Sequence, residues 1–107
     1  MITVTISRNA EELIIEVCGH SDYAPQGEDI VCAGISALTL MCANAALTQG
    51  KLDKMCSGYS KIMLPYNDNT RFFCATLAET LEIMEAKYPE YIRTNVTAAG
   101  VTNFEKV

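Results

Sequence analysis

Residues 30–47 read Ile-Val-Cys-Ala-Gly-Ile-Ser-Ala-Leu-Thr-Leu-Met-Cys-Ala-Asn-Ala-Ala-Leu and contain no charged side chain. Alanine and leucine make the run helical. It is apolar nearly all round, so periodicity picks out no single buried stripe, and such a helix needs cover on most sides. By length alone it is also a membrane-span candidate. Gly34, Ser36, Thr39 and Asn44 interrupt its apolar surface, and Glu28 and Asp29 flank its start. The expectation is a central helix of a small domain. A sheet covers one side, a second helix or second subunit covers the other, and no membrane is involved.

The flanking segments supply the sheet. Ile2, Val4 and Ile6 alternate with Thr3, Thr5 and Ser7, and Leu13, Ile15 and Val17 alternate with Ile14, Glu16 and Cys18. Period-2 alternation on both sides of the polar turn Arg8–Glu11 predicts an antiparallel hairpin. Ile14 and Cys18 make the outer face of its second strand less polar than usual, which predicts partial cover there. Lys51–Cys56 and Tyr59–Tyr66 flank Ser57-Gly58 and read as a second hairpin. Asn67-Asp68-Asn69 offers a turn and a cap. The next helix runs to about Lys87, with Phe73, Leu77, Leu81, Met84 and Tyr88 as its apolar stripe and Glu79, Glu82 and Glu85 on or near the other face. Pro89 ends it, and Tyr91–Thr97 is a candidate terminal strand. The fold class is α+β: a small mixed or antiparallel sheet from two hairpins packed with two helices, in the order β-β-α-β-β-α. Residues 1–97 form one domain and 98–107 a C-terminal tail.

Composition narrows the function classes. Eight basic residues stand against thirteen acidic ones, a formal charge of −5, which argues against a direct nucleic-acid binder. The five cysteines, at 18, 32, 42, 56 and 74, are odd in number and lack paired spacing. They read as reduced thiols of a cytoplasmic protein, with Cys42, Cys56 and Cys74 structural or incidental.

The chemistry concentrates between His20, the sole histidine, and Cys32. With Asp29 as N-cap, Cys32 is the third residue of the helix. The partial positive charge at a helix N-terminus favours a thiolate, the nucleophilic form of cysteine, and first-turn amides can receive a developing oxyanion. His20 at a strand end supplies a base if the polar loop Ser21–Glu28 folds back. Other readings stand beside this one. A cysteine near the start of an apolar helix is commonly core, and a histidine after glycine is commonly a turn residue. Cys18, His20 and Cys32 would make three zinc ligands, though without paired-cysteine spacing or a fourth donor. Ser36 lies one turn beyond Cys32 on the same helix face. It is either a serine bonded to a backbone carbonyl or a partner for the loop or for His20 and Cys32.

Gly19-His20-Ser21, followed by Gly27-x-Asp29-Ile30-Val31-Cys32-Ala33-x-x-Ser36-Ala37-Leu38, resembles the bacterial ribosomal-processing cysteine proteases, the Prp family. Tyr88-Pro89-Glu90-Tyr91 is similar to that family as well, and the resemblance spans roughly residues 1 to 93. It implies a cysteine endopeptidase that removes a short N-terminal extension from a large-subunit ribosomal protein, after a hydrophobic, aromatic-containing segment. Cys32 would be the nucleophile and His20 the base, with Asp29 and Ser36 supporting. Gly19 and Gly27 would hinge a mobile loop that orders on the substrate peptide. The resemblance further implies a homodimer, and no cofactor and no metal are expected. A catalytically silent ribosome- or assembly-associated module, or a relative that processes phage virion proteins, is the alternative. Two features depart from the family: Gly34 stands where relatives commonly carry alanine, and the 98–107 tail is longer and different.

Overall fold

A computed structural model of the chain describes residues 1–20, 23–25 and 29–97. Its elements are β1 (Ile2–Arg8), β2 (Glu12–Gly19), α1 (Ile30–Gln49), β3 (Lys51–Cys56), β4 (Tyr59–Pro65), α2 (Asp68–Lys87) and β5 (Ile92–Val96). The five strands form one mixed sheet in the order β3-β4-β2-β1-β5. β1 pairs antiparallel with β2 and parallel with β5. The terminal strand expected from Tyr91–Thr97 is therefore real, and α2 carries the chain back across the sheet to place it. The 98–107 tail lies outside the described residues, as does Gly27.

The alternation in sequence becomes one-sided burial. Ile6, Leu13, Ile15, Ile62 and Leu64 are at most 1% exposed, and every buried strand residue lies on the same sheet face. Each such side chain contributes about 1.5–3 kcal/mol relative to exposure. The β1–β2 turn is set by Asn9, whose Oδ1 accepts from the amides of Glu11 (3.0 Å) and Glu12 (2.8 Å), an Asx turn. The partial cover expected over the other face of β2 is not provided by a helix among the described residues. Ile14 and Glu16 are half-buried by cross-strand neighbours, and Cys18 is exposed.

Both helices begin with a side-chain cap. Asp29 accepts from the Cys32 amide at the start of α1. Asn67 and Thr70 exchange reciprocal bonds at the start of α2. The α2 stripe buries Leu77 and Leu81 fully and Phe73, Met84 and Tyr88 in part. Glu85 is not simply solvated: its Oε1 accepts from the Thr94 amide at 2.7 Å and ties α2 to β5.

α1 is long and apolar enough to cross a membrane by length and composition, yet it lies on the sheet. Val31, Ile35, Thr39, Cys42, Ala43 and Ala46 are buried. Near its start, an added Cβ on Gly34 would sit 3.2 Å from the Met84 methyl group, so α2 packs close there. The expected cover on most sides is absent within the described chain. Ile30, Leu40, Met41 and Leu47 remain 47–72% exposed. The buried stripe was hidden in the sequence because the outer face is apolar too.

Cys42 of α1 and Cys74 of α2 meet in the core, at 2% and 0% exposure. Burial pushes both thiols up to about 12, and for Cys74 the neighbouring Cys42 adds to the effect. A raised folded-state pKa means that the folded protein holds its proton more tightly. The stabilisation is thus complete below the unfolded value of about 9 and is lost as pH rises through the folded value. Unfolding free energy should fall between pH 9 and 12 by up to about 1.4 kcal/mol per pH unit per cysteine. Urea titrations at pH 8, 9.5 and 10.5 check this, with Cys42→Ala/Cys74→Ala expected to show a shallower decline despite lower stability at pH 8.

Candidate active site

The end of β2 and the start of α1 border one open cleft of about 730 Å³. His20, Asp29, Cys32 and Ser36 all line it, together with the β3–β4 turn. Ile2, Val17, Ile35, Leu40 and Met55 make its walls largely apolar.

Cys32 is the third residue of α1, half-buried and unpaired. The Asp29 carboxylate sets this geometry. Its Oδ1 accepts from the Cys32 amide at 2.8 Å. Its Oδ2 accepts from the amides of Tyr23 (3.1 Å) and Ala24 (3.4 Å). One carboxylate therefore starts the helix and ties it to the His20–Cys32 loop. The Ala33 amide is also engaged, by the Asp29 carbonyl at 3.0 Å. The oxyanion donors expected in this turn are consequently fewer than a free helix start offers. Ile30 and Val31 precede Cys32 in this turn, and the helix itself offers their amides no partner.

Tyr23 anchors the same loop elsewhere. Its ring meets Tyr88 edge-on at 5.7 Å and Tyr91 at 5.1 Å. Such contacts are worth about 0.5–1.5 kcal/mol each beyond area burial. Tyr88 and Tyr91 thereby acquire a local task, which is to receive the loop at the α2–β5 corner. Tyr23 was missed by sequence reasoning. The available signal was that it is the one aromatic residue in a polar loop.

His20 follows directly on β2 and is exposed. Gly19 precedes it at φ +94°, where a side chain would be strained and would overlap the Met1 carbonyl oxygen. It is paired with Ile2 in the sheet, and its amide donates to the Gly58 carbonyl at 2.8 Å. The chain thus leaves the sheet only beyond Gly19. The His20 carbonyl accepts from the Met1 ammonium.

Ser36 is exposed at the cleft, one turn beyond Cys32. Its hydroxyl has no hydrogen-bond partner among the described residues, whereas Thr39 donates to the Ile35 carbonyl at 2.8 Å. Cys56, read as incidental, is an exposed thiol on the cleft rim. Tyr59 also reaches the rim, but its hydroxyl donates to Glu16 Oε2 at 2.6 Å. That bond, above all, holds its pKa up at about 12, so it stays a committed neutral donor. Among the described residues, no three His, Cys, Asp or Glu side chains are placed to hold a metal ion, and the Cys18–His20–Cys32 triad is not assembled.

Comparison with known proteins bears on this cleft. The model of the family "Cysteine protease Prp" matches residues 1–93. The chain is 34% identical over 104 residues to the ribosomal processing cysteine protease Prp of Staphylococcus aureus, covering 89% of this chain and 98% of that protein. It is 39% identical over 49 residues to the Bacillus subtilis protein of the same name, 44% of each chain. Two crystal structures of the Staphylococcus aureus protease are similar in fold. The one with a covalently linked product peptide has a TM-score of 0.70 at 29% identity. The one with a substrate peptide has 0.63 at 28%, and each match covers 91% of this chain and all of the other. With a full-length relative and a family model spanning both flanks of the cleft, the chain belongs to the cysteine protease Prp family.

Proposed function

We propose that this protease acts through a Cys32–His20 pair on the N-terminal extension of a large-subunit ribosomal protein, within a single domain spanning residues 1–97. The observation that carries the reading is that Cys32, at the capped start of α1, and His20, at the end of β2, line the same cleft. The apolar walls suit a hydrophobic, aromatic-containing peptide.

The chemistry is acyl transfer. His20 takes the Cys32 proton, and the sulfur attacks the scissile carbonyl, forming a C–S bond. First-turn amides of α1 not used by the cap face the developing oxyanion. His20 returns the proton to the leaving amine as the C–N bond breaks. A water, deprotonated by His20, then attacks the thioester; the carboxylate product leaves and the thiol is restored. Asp29 and Ser36 support the pair, the first by capping α1 and holding the loop, the second by offering a hydroxyl at the cleft.

The protein works as a cytoplasmic homodimer without a direct nucleic-acid contact. The outer face of α1, with Leu40, Met41 and Leu47 exposed, is the surface a second copy would cover. In sedimentation velocity the wild type should run as a dimer and Leu47→Glu should shift toward monomer; a wild-type monomer at all concentrations would remove this part of the proposal.

Incubation with the extended ribosomal protein, read by mass, tests the main reading. The wild type should yield the shortened product. Cys32→Ala should lose at least about 10³-fold in rate while keeping its fold. Undiminished cleavage by Cys32→Ala would sink the reading of Cys32 as nucleophile, and no product from the wild type would favour the silent-module alternative. The dual role of Asp29 makes a separate forecast. Asp29→Asn keeps an acceptor for the Cys32 amide but presents a donor to the Tyr23 and Ala24 amides. Melting temperature should change little, since Asn caps as well as Asp, while KM should rise several-fold; peptide kinetics beside thermal melts read both.

A further inference from the structure

The Ser57-Gly58 turn joins β3 to β4 at the cleft and touches His20. An ideal Cβ placed on Gly58 would lie 2.9 Å from His20 Nε2, 3.5 Å from Cε1 and 3.7 Å from Cδ2. The imidazole therefore occupies the space that any side chain at position 58 would need. The backbone on either side is held as well. The Gly58 carbonyl accepts from the Gly19 amide at 2.8 Å, one residue before His20, and Tyr59 pairs with Cys18 in the β2–β4 ladder. The backbones of turn and histidine are thus registered to each other by the sheet, so an added Cβ would be met by movement of the His20 ring.

We propose that Gly58 is a positioning residue for His20: the bare backbone of the β3–β4 turn is the seat of the imidazole, and its missing side chain sets where the base stands in the cleft. This rests on the reading of His20 as the base. Gly58 has a second reason to be glycine, its φ of +80°, and the test must separate the two. Alanine adds a Cβ and is strained at that φ. Asparagine adds the same Cβ but tolerates the left-handed region far better.

The experiment measures kcat and KM for peptide cleavage, with thermal melts, for Gly58→Ala, Gly58→Asn, His20→Ala and Gly58→Asn/His20→Ala. Both Gly58 variants should lose about tenfold or more in kcat, with KM within about threefold, because a displaced base weakens the chemical step more than binding. The double variant should be no slower than His20→Ala alone, since the seat has no ring left to place. The proposal is overturned if Gly58→Asn keeps kcat within twofold, which would make φ the whole reason for glycine. It is equally overturned if Gly58→Asn slows the His20→Ala background by the same factor as the wild type. Full activity in His20→Ala would sink the reading of His20 as base, and this result is visible in that variant alone. Should Gly58→Ala fail to fold, Gly58→Asn and the double variant still decide.

Discussion

The two oxygens of the Asp29 carboxylate organise the working end of this protein. One accepts from the Cys32 amide and fixes where α1 begins; the other accepts from two loop amides, one of them at Tyr23. A helix cap is usually worth about 0.5–2 kcal/mol of stability. Here its placement matters more than its energy, because the same group sets where Cys32 stands in the helix and holds the loop at Tyr23 and Ala24. The amides of Cys32, Tyr23 and Ala24 all donate to that carboxylate.

The second constraint is the sheet register at the other flank of the cleft. The β1–β2–β4 ladders end together at Ile2, Gly19 and Tyr59, and the β3–β4 turn closes over that end. His20 stands at this corner, directly after β2, and Cys32 stands in the first turn of α1. In the loop between them, Tyr23 and Ala24 are held by the Asp29 carboxylate, and the Tyr23 ring rests against Tyr88 and Tyr91.

Much of the architecture was legible in the residues. Alternation in β1 and β2, the 73–88 stripe and the Asp29 and Asn67 caps are local signals, and the structure places them as the pattern demanded. What stayed hidden was non-local. The buried stripe of α1 could not be separated from an outer face that is also apolar. Among the described residues no layer covers Ile14 and Cys18: cross-strand neighbours half-bury Ile14, and Cys18 stays exposed. Glu85 could be placed only on or near the face opposite the stripe, because its partner, the Thr94 amide, belongs to a strand that pairs with β1 at the other end of the chain. At the site, the residue types at 20, 29, 32 and 36 were visible, but their meeting in one cleft was not. The parts played there by Tyr23, Cys56 and Gly58 depend on contacts between segments that no spacing encodes.

Five free cysteines give the central claim its sharpest test, since the proposal puts only one of them, Cys32, at the seat of the reaction. A peptidyl chloromethyl ketone carrying an aromatic-containing apolar peptide should be added at near-stoichiometric amounts at neutral pH, followed by intact mass and peptide mapping. One label per chain, on Cys32, that forms at least about tenfold more slowly in His20→Ala, is the expected result. Labelling of Cys18 or Cys56 at the same rate as Cys32, or a rate indifferent to His20, would contradict it.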